Sequence, residues 1–252
     1  MIYVCIPVHN EASTVGVLLW KIRRVLGEFG RDYKIIVHDD ASEDDTGEVL
    51  QRYRRAVPLT VLRSEERLGY GRAVERLLRH VASVAPYPKR DCAVVMQGDF
   101  TENPEDVVDL VKVFEGGADI VAGREDGSLR SAPDGVRWTR RLAGFFLRGL
   151  VRSSPVSDPF AGMRAYRVIV LKKAFRDLSD DAFLLRSDGW AANVELLGQL
   201  APHARRVDEA PLTFRYDLRR RPSRFNPFRT FLGLARLGRS VWADVPRKAE
   251  AA

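Results

Sequence analysis

Cysteine is nearly missing from this chain, with only Cys5 and Cys92 among 252 residues. Two cysteines in apolar runs, without neighbouring ligands at metal spacing, make neither a disulfide framework nor a zinc module. Both thiols are therefore expected in the core of a protein from a reducing compartment. Long hydrophobic runs are also absent. No stretch approaches the ~18 apolar residues that a membrane span requires. The opening Met1-Ile2-Tyr3-Val4-Cys5-Ile6 lacks the basic start of a signal peptide. The expectation is a cytoplasmic protein, soluble or peripheral at the cytoplasmic membrane face. Internal repeats and low-complexity tracts are missing as well, which excludes solenoids and disordered linkers.

What the chain does have is positive charge: 41 Lys and Arg against 34 Asp and Glu, a formal +7. An anionic partner follows, whether nucleic acid, phosphorylated ligand or membrane surface. The acids crowd the first half (Asp39 to Asp45, Asp99 to Asp109), while arginines dominate the end, from Arg219-Arg220-Arg221 through Arg239. The arginine clusters carry no recognised nucleic-acid reader motif, so no nucleic-acid partner is expected.

Segments of strand and helix character alternate. Ile2 to Val8, Tyr33 to His38, Leu59 to Leu62, Ala93 to Met96 and Ile120 to Ala122 read as buried strands, rich in Val and Ile. Between them, Thr14 to Phe29, Asp45 to Ala56, Tyr70 to Val84 and Pro104 to Phe114 have helical spacing, with Asn103 as the expected cap and Pro104 at the first turn. This is βαβ winding around a mostly parallel sheet. The second half continues with helices over 136–151, 168–175 and 190–200, a short strand in 162–167 and a last strand within 204–216.

The strand ends hold the chemistry. Pro7-Val8-His9-Asn10-Glu11 follows the first strand, Asp39-Asp40-Ala41-Ser42 the second, and Gln97-Gly98-Asp99 the fourth. In a parallel sheet all three lie on the carboxyl edge, where open α/β folds bind ligands. Any one alone reads equally as a turn; Asp40-Ala41-Ser42 suits a helix cap.

Taken in order, Ile-Pro-Val-His-Asn-Glu, Val-His-Asp-Asp-Ala-Ser, Arg67-Leu-Gly69-Tyr-Gly-Arg-Ala, Met-Gln-Gly-Asp99 and Ala-Gly-Arg124 resemble family 2 glycosyltransferases of the GT-A fold. They are most similar to the dolichyl- and polyprenyl-phosphate sugar synthases. Ser157-Asp158-Pro159-Phe160-Ala161-Gly162-Met163-Arg164, Glu209-Ala210-Pro211 and the Arg219 to Ser223-Arg224 loop extend the resemblance to about residue 226. It implies an α/β GT-A domain over 1–225 and a C-terminal basic amphipathic helix and tail over 226–252.

The resemblance implies an inverting transfer of a hexose from a UDP- or GDP-linked sugar to a lipid phosphate. Pro7, Val8, Asn10, Glu11, Asp40, Gly69, Gln97, Gly98 and Asp99 would bind the nucleotide sugar. Asp99 would face the diphosphate through Mg²⁺ or Mn²⁺, with Gln97 as the second metal ligand. Arg124, Arg219, Ser223 and Arg224 would hold the acceptor phosphate, with Arg215 and Arg220 as rivals for the place of Arg219. An anionic phosphate acceptor needs no strong base, and placement carries most of the rate. A hydroxyl acceptor needs one, and Asp158 is the candidate; its other reading is an acid capping the turn before Pro159.

The sequence departs from the family at two positions. The usual Asp-x-Asp is Gln97-Gly98-Asp99, which replaces an anionic ligand with an amide, and Thr101 stands where Gln is common. Three readings follow: a weaker metal site, Arg or Lys in place of the ion, or a non-catalytic nucleotide-sugar binder. The tail from Asn226 to Trp242 mixes Phe228, Phe231, Leu232 and Trp242 with Arg229, Arg236 and Arg239. It either lies on an anionic membrane or docks on the core, on another subunit or on a membrane-anchored partner.

Overall fold

The computed structural model describes residues 1–125, 132–146, 148, 154–179, 182–215, 226–237 and 239–242. β1 (Ile2–Val8), β2 (Tyr33–Asp40), β3 (Leu59–Ser64) and β4 (Cys92–Val95) are separated by α1 (Ala12–Phe29), α2 (Thr46–Tyr53) and α3 (Tyr70–Val84). Then come α4 (Asp106–Glu115), β5 (Ile120–Glu125), α5 (Asp134–Phe146), β6 (Arg164–Arg167), α6 (Val168–Ala174), α7 (Gly189–Leu200), β7 (Val207–Leu212) and α8 (Pro227–Leu237).

The strands form one seven-stranded sheet in the order β3-β2-β1-β4-β6-β5-β7. β1 pairs in parallel with both β2 and β4, so the three strand ends noted above share one edge. The sheet has apolar side chains on both faces and so needs two helical layers. Alternation along β1 shows this directly: Tyr3 and Cys5 join the core with α3, α6 and α7, whereas Ile2, Val4, Ile6 and Val8 join the core with α1 and α4. Cys5 and Cys92 are buried free thiols in opposite cores, and burial pushes both above the ordinary thiol range.

Two details differ from the sequence reading. β6 is antiparallel to both of its neighbours and is inserted between β4 and β5, so the chain does not wind onward from β4 to β5 directly. α4 starts at Asp106, not at Pro104, because Glu102 is still extended and bridges Phe214, and the Asp106 N–H first closes a turn onto Asn103 O at 3.0 Å.

The C-terminal helix docks. Leu234 of α8 is fully buried, Gly233 comes within contact of Ala191 on α7, and Trp242 closes over the same core. A glycine in a helix costs about 1 kcal/mol relative to alanine. Here a Cβ at 233 would stand 3.2 Å from the Ala191 methyl, so its absence allows the close approach.

Candidate active site

Among the described residues the non-glycine positions with left-handed φ are Asn10 (52°), Ala41 (53°) and Phe100 (64°). One lies after each of β1, β2 and β4. Such backbone costs on the order of 1 kcal/mol or more and persists only where the surroundings over-determine it. These turns are held by cross-links between the loops. Asn10 N–H donates to Ser42 Oγ (2.9 Å), Glu43 N–H donates to Asn10 Oδ1 (2.8 Å), and Glu11 N–H donates to Thr46 Oγ1 (2.8 Å). Thr14 Oγ1 lies within bonding distance of both Glu11 Oε2 (3.0 Å) and Gly98 O (3.2 Å), tying the first turn to the third.

Gly98 shows how tightly these ends converge. A Cβ there would stand 2.8 Å from Val8 Cγ1 and 3.3 Å from Pro7 O, so any larger residue would have to displace the end of β1. Beside it, Thr101 N–H donates to Asp99 Oδ1 (3.1 Å), and the Thr101 hydroxyl bonds the same oxygen. Gln97 N–H donates to Glu102 Oε2 (2.7 Å). Glu102 is fully buried beside Asp99 and Asp106, and burial pushes its carboxyl up to about 8.

A cavity of about 300 Å³ opens at this edge, at the lower end of the ~300–1,000 Å³ usual for small-molecule sites. Pro7, Val8, Glu11, Asp40, Gln97, Gly98 and Asp99 all line it. The buried Asp40 carboxylate accepts Leu68 N–H (2.7 Å) and Gly69 N–H (3.0 Å), which fixes it at the wall. Asn10 and Gly69 stand behind the lining and shape its turns.

The other expected residues fall elsewhere. Arg124 is exposed at the end of β5 and does not line the cavity. Asp158 lies behind the wall, its Oδ2 bonded by Arg140 Nη1 (2.8 Å) and its Oδ1 by Phe160 N–H (3.1 Å), the latter being the contact of an acid that caps a turn. Arg219, Arg220, Ser223 and Arg224 lie outside the described residues. Arg215 is described: its N–H donates to Thr101 O (2.9 Å), which stitches the segment after β7 to the Asp99 turn.

Sequence reasoning missed the opposite wall. Arg140 of α5, Trp190 and Asn193 of α7, Tyr70 of α3 and Phe214 line it. Arg140 is mostly buried, stands over the rings of Trp190 (5.4 Å) and Phe214 (5.7 Å), and its Nε has no hydrogen-bond partner among the described residues. Tyr70 donates to Asn193 Oδ1 (2.9 Å), and burial raises its phenol further, which keeps it protonated. The only signal for Arg140 was its place in a helix just before Asp158-Pro159.

The cavity thus joins a carboxylate-bearing sheet edge to a cationic wall. A family model, Glycosyl transferase family 2, matches residues 3–175. The chain belongs to that family. Among its relatives is the undecaprenyl-phosphate 4-deoxy-4-formamido-L-arabinose transferase of Edwardsiella ictaluri (strain 93-146), 28% identical over 174 residues, which are 67% of this chain and 50% of that one. The Pseudomonas aeruginosa (strain LESB58) protein of the same name is 29% identical over 175 residues, 66% of this chain and 47% of that one. This glycosyl transferase family 2 chain therefore spans about half the length of these relatives.

Two solved structures share the GT-A fold. Glucosyl-3-phosphoglycerate synthase from Mycobacterium tuberculosis, in complex with Mn²⁺, UDP and glucosyl-3-phosphoglycerate, superposes with TM-score 0.61 at 20% identity, covering 98% of this chain and 81% of that one. S. aureus TarS 1-349 in complex with UDP gives 0.55 at 17% identity, covering 83% and 57%.

Proposed function

We propose that this chain carries out an inverting transfer of a mannose- or glucose-type sugar from a UDP- or GDP-linked donor to a polyprenyl phosphate. The carrying observation is one cavity in which Pro7, Glu11, Asp40 and Asp99 of the sheet edge face Arg140. Pro7, Val8 and Glu11 flank the nucleoside, Asp40 reads a base N–H, and the Gln97-Gly98-Asp99 turn takes the diphosphate. The relatives named for undecaprenyl phosphate support the acceptor.

Of the two arginines that line the cavity, Arg67 is exposed and Arg140 is mostly buried, and we assign the acceptor phosphate to Arg140, with Arg124, Arg219, Ser223 and Arg224 as further phosphate ligands. The ion pair to Asp158 holds the guanidinium in place. Because the attacking phosphate is already anionic, the protein positions it and screens its charge, and no base is called for. That both oxygens of Asp158 are engaged favours this acceptor over a hydroxyl.

A divalent ion fits here only as a shared guest. Among the described residues no group of three or more His, Cys, Asp or Glu could hold a metal. Asp99 and the Gln97 amide supply oxygen donors, and a hard ion of this kind commonly takes one or two protein oxygens plus substrate phosphate. Mg²⁺ or Mn²⁺ bound there would screen charge on the departing diphosphate.

Two helices that pack together, α5 and α8, support a site of action at a membrane surface. They carry Trp138, Leu142, Phe145, Phe228 and Leu232, five of the ten large apolar side chains exposed among the described residues. Arg141, Arg229 and Arg236 are exposed on the same two helices, and Arg148 is exposed just past the end of α5. Apolar side chains among arginines suit an anionic lipid surface, and Val136 and Arg140 of α5 line the cavity. No helix among the described residues is long and apolar enough to cross a membrane.

Incubation with radiolabelled UDP-glucose or GDP-mannose, undecaprenyl phosphate and Mn²⁺, followed by solvent extraction, tests the proposal. Label in the lipid phase from either donor is expected. Label that stays wholly aqueous with both donors contradicts it.

A further inference from the structure

The segment that brings the chain to α7 is held with unusual firmness. The fully buried Glu75 of α3 accepts Leu184 N–H (2.8 Å) and Leu185 N–H (2.9 Å), one on each oxygen, and pairs with Arg79 at 2.9 Å. Glu195, also buried, accepts Arg186 N–H (3.1 Å) and Ser187 N–H (2.8 Å) on a single oxygen. Four consecutive backbone N–H groups are thus clasped by two interior carboxylates.

Burying a carboxylate is costly unless it is well hydrogen-bonded, so two of them fastening one loop mark a loop whose tip must not move. That tip is Asp188-Gly189-Trp190, and all three residues line the cavity. Gly71 N–H donates to Asp188 Oδ1 (3.0 Å), and a Cβ at Gly71 would collide with the Ser187 carbonyl, so the start of α3 is seated against the loop. Trp190 stacks on Phe160 with centroids 5.6 Å apart, which fixes the wall next to Asp188.

Asp188 Oδ2 accepts no hydrogen bond among the described residues, and the residue is exposed to the cavity. The loop also lies beyond residues 3–175, the part matched by the family model. We propose that Asp188 is the specificity-determining residue for the transferred sugar, accepting hydrogen bonds from hydroxyls of a neutral pyranose. The assignment rests on the donor reading above. A carboxylate held by a backbone N–H on one oxygen presents the other as a fixed acceptor. A sugar that lacks the matching hydroxyl leaves it desolvated and unpaired, and is rejected. Glu75 and Glu195 are positioning residues for it.

Calorimetric titration of the full chain with UDP, UDP-glucose, GDP and GDP-mannose in MnCl₂, for wild type and Asp188→Asn, tests this. The amide oxygen of the variant still accepts from Gly71 N–H, so the loop keeps its anchor, and unchanged thermal melting checks that the fold is intact. The expected result is at least a 10-fold weaker affinity for the nucleotide sugar, with the matching bare diphosphate unchanged within twofold. Equal losses for both would move Asp188 to the ribose and overturn the assignment, as would no loss for either. Wild-type protein that takes up neither diphosphate would instead sink the donor reading, and Asp188 with it.

Discussion

Arg140 and Asp158 meet at 2.8 Å at the edge of the cavity, a mostly buried ion pair that joins α5 to the turn before β6. The pair gives the two residues opposite expectations. Arg140→Ala removes the cation and leaves Asp158 buried without its partner. We expect kcat/KM with lipid phosphate to fall on the order of 100-fold, with retained binding of nucleotide, because a preorganised charge facing the reacting group is worth about that much. Asp158→Asn keeps the turn-capping oxygen and should cost less than about 10-fold, whereas loss of a general base costs ~10²–10⁴. Steady-state kinetics on both variants separate the two roles.

Gln97→Asp adds a second carboxylate next to Asp99. The affinity of a hard dication rises with the charge of its ligands, so Mn²⁺ binding in the presence of nucleotide diphosphate should tighten on the order of 10-fold. Titration followed by the paramagnetic resonance of free Mn²⁺ measures it. Unchanged affinity would mean that position 97 does not touch the ion.

His38 is buried with Nε2 3.0 Å from Ser64 Oγ, and burial lowers its pKa below the ordinary histidine value. Unfolded chain takes up a proton at that histidine below about pH 6.5, while the folded chain resists until lower pH. Within that window the unfolded state binds more protons, so stability falls as pH drops from ~6.5 through the depressed value. Melting temperatures at pH 7.5 and 5.5 should differ more for wild type than for His38→Asn. The contrast should be ~2–4 °C for each kcal/mol involved.

Phe145 is 60% exposed and Phe228 is 77% exposed, so changing both to Ser should leave the melting temperature nearly unchanged. Co-sedimentation with phosphatidylglycerol vesicles should fall at least ~10-fold, since two buried aromatics are worth several kcal/mol at an interface. Binding of wild type should also weaken with added salt. Equal binding of wild type and variant would remove α5 and α8 from the membrane contact.

Much of this was legible in the sequence because a buried parallel strand leaves a plain trace: an apolar run that stops at a polar turn. Pro7 to Glu11, Asp40 and Gln97 to Asp99 could therefore be assigned to one edge before their contacts were known. The cationic wall left no such trace. Arg137, Arg140 and Arg141 are chemically alike, and only packing makes Arg140 face inward while its neighbours stay exposed. Asp188 is equally silent, because its position depends on Glu75, more than a hundred residues away in the chain. β6 was readable as a short strand but not as an inserted antiparallel one. Its Arg164 looks like a surface residue, yet it is buried with its guanidinium on Asn193 O (2.5 Å) and Pro159 O (2.6 Å).

Thermal melting with UDP, GDP and their hexose conjugates, with and without Mn²⁺, is the most direct measure of whether the edge formed by Pro7, Glu11, Asp40 and Asp99 grips a nucleotide sugar. A ligand held only by the folded chain raises its melting temperature, and at 100 times Kd the stabilisation is ~2.7 kcal/mol. We expect a clear rise with one of the two bases, larger with Mn²⁺ and abolished by Asp40→Ala. No rise with any of these ligands at millimolar concentration would contradict the account.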